Sequence, residues 1–230
     1  MSRIGLNTKT VVDPNEGLDS EGRYWRIPKW FPDINSDLMG KLRAFHAELI
    51  HFNGRMNLIS PRTEKTADLV HIADGILGSR AVLYLTDKKE IYDFGAGNGI
   101  PGLITALLDP DRRIVMIDSD ARKIEFLKHC SFRLGLKNCS VNHTRIEDLP
   151  DESVHCAISR GLSNISKSLI LMRHAAANDC EYFHFKSESW STEVAGIPSQ
   201  VLAHWDIGDV SDYMLPDGQT KLSVVQTKRR

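Results

Sequence analysis

Ile91-Tyr92-Asp93-Phe94-Gly95-Ala96-Gly97-Asn98-Gly99-Ile100-Pro101-Gly102 decides how the rest of the chain is read. Four residues of strand character run into a glycine-rich turn, and a helical run over Gly102–Leu108 follows at once. In an open α/β sheet that junction is where a ligand binds. Gly95, Gly97 and Gly99 let the backbone bend sharply and come close to a bound molecule. Gly97 to Gly102 formally satisfies G-x-G-x-x-G, the pattern of dinucleotide enzymes. Asp93 argues against a dinucleotide. Pyrophosphate at such a turn wants N–H groups and a helix dipole, and a carboxylate two residues before the first glycine repels it. S-adenosylmethionine (SAM) instead brings an ammonium and a sulfonium, both favourable beside that carboxylate. Asp93, Gly95 and Gly97 are therefore candidate cofactor residues.

Downstream of the turn, short strands and helices alternate. A second strand over Arg113–Asp118 ends on an acid, about 20 residues past the glycines, where a carboxylate takes ribose hydroxyls. NAD and SAM both carry that ribose, so Asp118 supports a nucleoside without choosing between them. Asp120 is placed to cap the next helix, leaving Asp118 free for the ligand. Ile124, Leu127, Cys130, Ser131 and Leu134 line one face of that helix, and Gly135 ends it. Further strands read at 140–143, 154–158 and 181–186, a helix at 165–177, and an antiparallel pair at 201–207 and 221–226. Such alternation needs crossovers, which predicts a doubly wound, mostly parallel, seven-stranded Rossmann-like α/β sheet.

Upstream, Leu38, Leu42, Phe45, Leu49 and Phe52 recur every three or four residues, predicting a helix with Ser36 as N-cap that runs out near Asn53-Gly54. A second helix is predicted over 67–84, with Leu69, Ile72, Ile76 and Leu77 on its buried face. Residues 1–35, rich in Gly, Pro, Asp and Asn, read as an irregular arm that Trp25, Trp30 and Phe31 pin to the body. The expected organisation is thus an arm (1–35), N-terminal helices packed on the core (36–86) and a SAM-binding domain (87–230).

The bulk properties narrow the function. The formal net charge is -1, so nothing global pulls the chain toward nucleic acid, although a local basic face remains possible in principle. No run approaches the roughly 18 apolar residues of a membrane helix, and the first residues lack the apolar core of a signal peptide, so a cytoplasmic monomer is expected. Cys130, Cys139, Cys156 and Cys180 form no C-x-x-C pair and read as free thiols, with no metal site. After the fourth strand stands Ser159-Arg160-Gly161-Leu162 rather than the Asn/Asp-Pro-Pro-aromatic turn of exocyclic-amine methylases. No Pro-Cys or Thr-Cys dipeptide offers the nucleophile that pyrimidine C5 methylation needs. Arg145-Ile146-Glu147-Asp148, after the third strand, lies where backbone amides and an acid border an adenine.

Several separate segments together resemble the glucose-inhibited division protein B family, the 16S rRNA guanine-N7 methyltransferases. Phe52-Asn53-Gly54-Arg55-Met56-Asn57-Leu58-Ile59-Ser60 is similar to its Trp-Asn-x-x-x-Asn-Leu-Thr-Ser/Ala segment, and His71-Ile72-Ala73-Asp74-Gly75-Ile76-Leu77 to its His-Phe-x-Asp-Ser-Leu stretch. Asp93 to Gly102 matches Asp-x-Gly-x-Gly-x-Gly-Phe-Pro-Gly with Ile100 in place of Phe; Arg122-Lys123-Ile124-Glu125-Phe126-Leu127, Arg145-Ile146-Glu147 and Ser159-Arg160-Gly161 follow in order. Gly161 replaces an Ala, and Ser187 follows Lys186 where the family has Gly. The resemblance implies SAM contacts at Gly95, Ile100, Asp118, Ile146, Glu147 and Arg160, with 16S rRNA or the small ribosomal subunit as partner. For the RNA, Arg55, Arg62, His71, Arg122, Lys123 and Lys186, with Arg160, are expected as a basic rim. Guanine N7 has a free lone pair, so no catalytic base is expected. The rival readings are a small-molecule SAM-dependent methyltransferase and, less favoured because of Asp93, a NAD-dependent oxidoreductase.

Overall fold

The computed structural model describes residues 17–18 and 22–230; the rest of the expected arm lies outside the described residues. Seven strands make one sheet: β1 (Glu90–Phe94), β2 (Arg113–Asp118), β3 (Cys139–His143), β4 (Val154–Arg160), β5 (Ala176–Ser187), β6 (Trp205–Met214) and β7 (Lys221–Arg229). Their order is β3-β2-β1-β4-β5-β7-β6, parallel through β5, with β7 antiparallel to both β5 and β6. This is the sheet that the strand–helix alternation predicts.

The chain builds outward from β1 through β2 to β3, then returns to the other side of β1 as β4. That reversal opens a crevice beyond the carboxyl ends of β1 and β4. Asp93 pairs with Ile158, so the two strands release the glycine turn and Arg160 side by side.

Alternate residues of the strands feed two cores, as a period of two requires. Ile114, Met116 and Ile158 face one, together with α2 (Ser36–Met56), α4 (Asp74–Leu85), α5 (Gly102–Leu108) and α6 (Ala121–Arg133). Val115, Ile117 and Ala157 face the other, beneath α7 (Ile165–Leu171) and the partly buried side chains of α8 (Trp190–Ala195) and α9 (Ser199–Leu202). Cys130, Cys156 and Cys180 are buried free thiols, and Cys139 is partly buried.

Element boundaries depart from the expectations where tertiary partners intervene. Asn35, not Ser36, caps α2, its side chain accepting from Leu38 N at 2.9 Å, and the helix continues to Met56 before Asn57 turns left-handed. The segment predicted as one helix over 67–84 begins as a π-helix (Asp68–Ala73) and becomes α4 only afterwards. The helix expected over 165–177 stops at Leu171, because Ala176 onward joins β5. Residues 199–202 are helical, and β6 starts at Trp205 rather than at 201.

The described part of the arm carries one short helix, α1 (Ile27–Trp30), with Ile27 and Phe31 in the first core. Arg26 is its main tether. Its backbone N and Nε donate to Asp68 Oδ2 at 2.8 and 2.9 Å, and its Nη2 to Oδ1 at 2.9 Å, while its guanidinium stacks on Tyr24 and Trp30. Asp68 is fully buried at the start of the π-helix, so the arm braces that helix. A short α3 (Pro61–Glu64) closes the remaining loop. No helix among the described residues is long and apolar enough to cross a membrane.

Candidate active site

Asp93 is buried behind the turn, at 1% exposure. Its Oδ2 accepts from Gly102 N at 2.9 Å, tying the start of α5 to the end of β1. Its Oδ1 is buried and has no hydrogen-bond partner among the described residues. Burial pushes the carboxyl up to about 8; the Gly102 N–H opposes that rise and neighbouring Asp118 adds to it. Gly102 has to be glycine here, because a Cβ would lie 2.4 Å from Asp93 Oδ2.

Contrary to the sequence expectation, Asp118 is not free. Its Oδ2 accepts from Gly97 N at 2.9 Å and its Oδ1 from Asp120 N at 2.8 Å, so it fixes the turn, and it is buried rather than lining the cavity. Gly97 takes φ +50°, a conformation costly for side-chain-bearing residues, in order to present that N–H. Asp120 caps α6 as expected, accepting from Arg122 N at 2.9 Å.

A cavity of about 690 Å³ opens in front of the turn. That size is within the usual range for ligand pockets, about 300–1,000 Å³. Gly95, Gly97, Asn98 and Ile100 form one wall. Val70, His71 and Asp74 form another, from the π-helix and α4; Arg160, Gly161, Phe185 and Lys186 close the sheet side, and Tyr213 and Leu222 come from the terminal hairpin.

Arg160 is the hub of this wall. Its Nε donates to Asp74 Oδ2 at 2.6 Å, and its Nη2 to Val70 O at 3.0 Å and His71 Nδ1 at 3.2 Å. Tyr213 OH donates to Asp74 Oδ1 at 2.6 Å. Burial and the Arg160 charge pull His71 down to about 3, so it is neutral and accepts from Arg160 through Nδ1. Its proton then sits on Nε2, facing Thr63 Oγ1 at 2.9 Å, and the Thr63 hydroxyl donates to Ser60 O.

The other candidates are distributed unevenly. Gly95, Gly97, Ile100, Arg160, His71, Lys123 and Lys186 line the cavity. His71 contributes no charge, and Lys186 Nζ is taken up by Glu193 Oε2 and Ser163 O, each at 2.7 Å. Ile146 is buried in the second core, and Glu147 is exposed in the 3-10 turn after β3. Arg55, Arg62 and Arg122 are exposed and stand off the wall, Arg122 lying 3.6 Å from Asp120. The expected basic rim is thus concentrated at Lys123 and Arg160. Sequence reasoning assigned no role to Asp74 or Tyr213. Asp74 stands in the His71–Leu77 stretch already singled out, and its acid on an apolar helix face was a usable signal. Tyr213 had none, being brought to the cavity only by the hairpin.

The sequence model of the family described as rRNA small subunit methyltransferase G matches residues 38–207. The chain belongs to this family. Ribosomal RNA small subunit methyltransferase G 3 of Bdellovibrio bacteriovorus is 43% identical over 207 residues, covering 90% of this chain and 94% of that protein. The Marinobacter nauticus ribosomal RNA small subunit methyltransferase G is 31% identical, covering 83% of this chain and 86% of its own length. Among solved structures, a SAM-dependent methyltransferase from Aquifex aeolicus aligns with a TM-score of 0.56 at 17% identity, over 74% of this chain and 98% of its own. The 1,6-didemethyltoxoflavin-N1-methyltransferase of Burkholderia thailandensis aligns at 0.55 with 13% identity, over 81% and 89%. At those identities the likeness is one of fold. As a member of the rRNA small subunit methyltransferase G family, the chain is a SAM-dependent methyltransferase.

Proposed function

We propose that the chain transfers a methyl group from SAM to N7 of a guanine in the decoding-region loop of 16S rRNA. One observation carries the choice of acceptor: the side chains around the cavity that could accept a proton are already committed. His71 is neutral with both ring nitrogens engaged, both Asp74 oxygens accept, and Tyr213 donates. An acceptor that must lose a proton before attack is poorly served there. Guanine N7 carries a free lone pair on the major-groove edge and needs no base.

The residues fit SAM. Asp93 Oδ1, buried and without a partner, suits a cationic group held against the turn. Gly95 and Gly97 keep that approach free of side chains, and Asp118 stands where ribose hydroxyls are taken. Ile100 gives an apolar wall, and Ile146 and Glu147, beyond β3 on the same edge of the sheet, border the base. SAM supplies a methyl made electrophilic by its positive sulfur. The chain's part is to hold acceptor, methyl carbon and sulfur in line, an effect that reaches roughly 7–11 kcal/mol at best. Arg160 belongs to the SAM contacts as well as to the basic rim, and Lys123 meets RNA phosphate at the mouth, with exposed Arg55, Arg62 and Arg122 as outlying contacts and His71 and Lys186 ordering the wall. The target guanine enters unstacked from an RNA loop.

In the same reading the arm (1–35) and helices (36–86) belong with the SAM-binding domain (87–230) in one cytoplasmic monomer that acts on 16S rRNA or the small subunit. Mapping 7-methylguanine in small-subunit rRNA from cells lacking this protein tests the reading. The decoding-region mark should vanish and return with the intact gene; its persistence refutes the assignment.

A further inference from the structure

We propose that Asp74 and Tyr213 are positioning residues that hold the Arg160 guanidinium so that its remaining nitrogen faces the cleft and takes an oxyanion there. All four hydrogen bonds around Arg160 and Asp74 are between segments far apart in the chain: β4 to α4, β4 twice to the π-helix, and β6 to α4. Arg160 lends Nε and Nη2 to Asp74, Val70 O and His71, while Nη1 meets no hydrogen-bond partner among the described residues. The side chain lines the cavity.

The clamp is directional. A carboxylate on Nε and a backbone carbonyl on Nη2 fix the guanidinium plane, since its donors form a rigid fork. Asp74 is in turn fixed by Tyr213, whose hydroxyl is kept protonated by burial and by Asp74 itself and so donates to the carboxylate. The Asp74 side chain is 5% exposed and that of Arg160 21%. A carboxylate so buried is retained only with its partners in place. Tyr213 sits on the last hairpin, beyond the segment matched by the family, so the end of the chain sets the aim of a residue at the sheet's switch point.

The oxyanion has two sources within this cleft: the carboxylate at the amino-acid end of SAM and a phosphate of the RNA. The inference rests on the proposed methyl-transfer reading of the cavity, and the experiment separates the two. Calorimetry is run with SAM and with 5′-methylthioadenosine, which lacks the carboxylate, and filter binding with a 16S rRNA transcript at fixed salt. The proteins are wild type, Tyr213→Phe, Asp74→Asn, Arg160→Gln and the double variants with Arg160→Gln.

Losing a hydrogen bond to a charged group corresponds to a roughly 10–100-fold weaker interaction, so Asp74→Asn should weaken the oxyanion ligand by about tenfold or more. Tyr213→Phe, which keeps the ring and the packing, should weaken it about two- to tenfold. Methylthioadenosine affinity and the unfolding midpoint of Tyr213→Phe should stay near wild type. In the Arg160→Gln background neither second substitution should have further effect. Loss confined to SAM assigns the carboxylate, and loss confined to RNA assigns the phosphate. The proposal is overturned if Tyr213→Phe and Asp74→Asn bind both ligands like wild type, if methylthioadenosine weakens equally, or if the losses persist without Arg160. Should Asp74→Asn fail to fold, Tyr213→Phe alone decides. A wild type that binds no SAM would overturn the functional reading as well.

Discussion

Replacing Asp93 by Asn tests the electrostatics of the cofactor turn. Asn keeps an oxygen for the Gly102 N–H and puts an uncharged amide where the unpaired Oδ1 now sits. The native carboxyl is raised from 3.8 to about 8, chiefly by burial. An acid whose folded pKa is raised stabilises the fold fully below its unfolded pKa and loses that contribution as pH rises through the folded one. The ligand-free wild type should therefore weaken between about pH 4 and pH 8. Each pH unit within that window is worth at most about 1.4 kcal/mol, one proton's worth. From pH 5 to pH 8 the ceiling is about 4 kcal/mol, against which Asp93→Asn should be flat. Differential scanning calorimetry on both proteins across that range isolates the residue, since the histidines and other acids titrate alike in both. A relative change of 1 kcal/mol appears as about 2–4 °C for a chain of this size. At pH 7, about nine in ten ligand-free molecules hold the proton if the carboxyl titrates near 8. Binding SAM, with its positive charge, should release most of it, seen as an enthalpy that varies with the buffer's ionisation heat. Stability curves that stay parallel from pH 5 to pH 8, together with equal proton release in Asp93→Asn, would refute the reasoning.

Gly97→Val should abolish measurable SAM binding by calorimetry, because Gly97 holds φ +50° and a branched side chain there enters the cleft within 3.4 Å of Gly95 O; unchanged affinity would show that the turn does not approach the cofactor. Gly102→Ala should destabilise despite alanine's better helix propensity. The new Cβ would lie 2.4 Å from Asp93 Oδ2 and 2.9 Å from Met116 Cγ, and overpacking costs about 1–3 kcal/mol against a propensity gain of about 1; urea unfolding reads the sign. Arg26→Ala removes the partner of a fully buried Asp68. Breaking such a pair costs about 3–5 kcal/mol, so a denaturation midpoint unchanged within error would show that the arm is not a brace.

The sequence made legible whatever depends on neighbours in the chain. Strand, glycines and helix from Ile91 to Leu108 follow one another without an intervening element, so their joint geometry is written locally and the turn could be read from spacing. Asp120 likewise caps a helix that starts at the next residue. Asp118 was harder, because its bond to Gly97 N spans 21 positions and depends on β1 and β2 pairing in register, Phe94 against Ile117. Its proximity to the ligand could be inferred from a spacing rule; its service to the turn could not. The misplaced end of the helix expected over 165–177 has the same origin, since pairing with β4 draws Ala176 into β5 although its apolar character suits either element; at the strand expected over 201–207 the reverse happens, the chain staying helical to Leu202 before β6 starts at Trp205.

Arg160 marks the limit of such reading. Its partners lie 86, 89 and 90 residues away, and the tyrosine that fixes Asp74 is 139 residues beyond it. A charge counted at the mouth of a cleft from sequence alone says nothing about its direction. Here the same count included His71, which burial leaves neutral, and Lys186, which Glu193 occupies. What separates these from Arg160 is the number of donors each has to spare. A neutral imidazole with both nitrogens engaged has none, and an ammonium shared between a carboxylate and a carbonyl is largely spoken for. A guanidinium with five N–H groups can hold three neighbours in place and still present an edge to solvent. The fold therefore uses arginine where one residue must be both part of the wall and the group that meets an anion. Replacing Arg160 with Lys should keep the charge but lose the fixed plane, and an affinity for SAM and RNA equal to wild type in that variant would show that charge alone suffices.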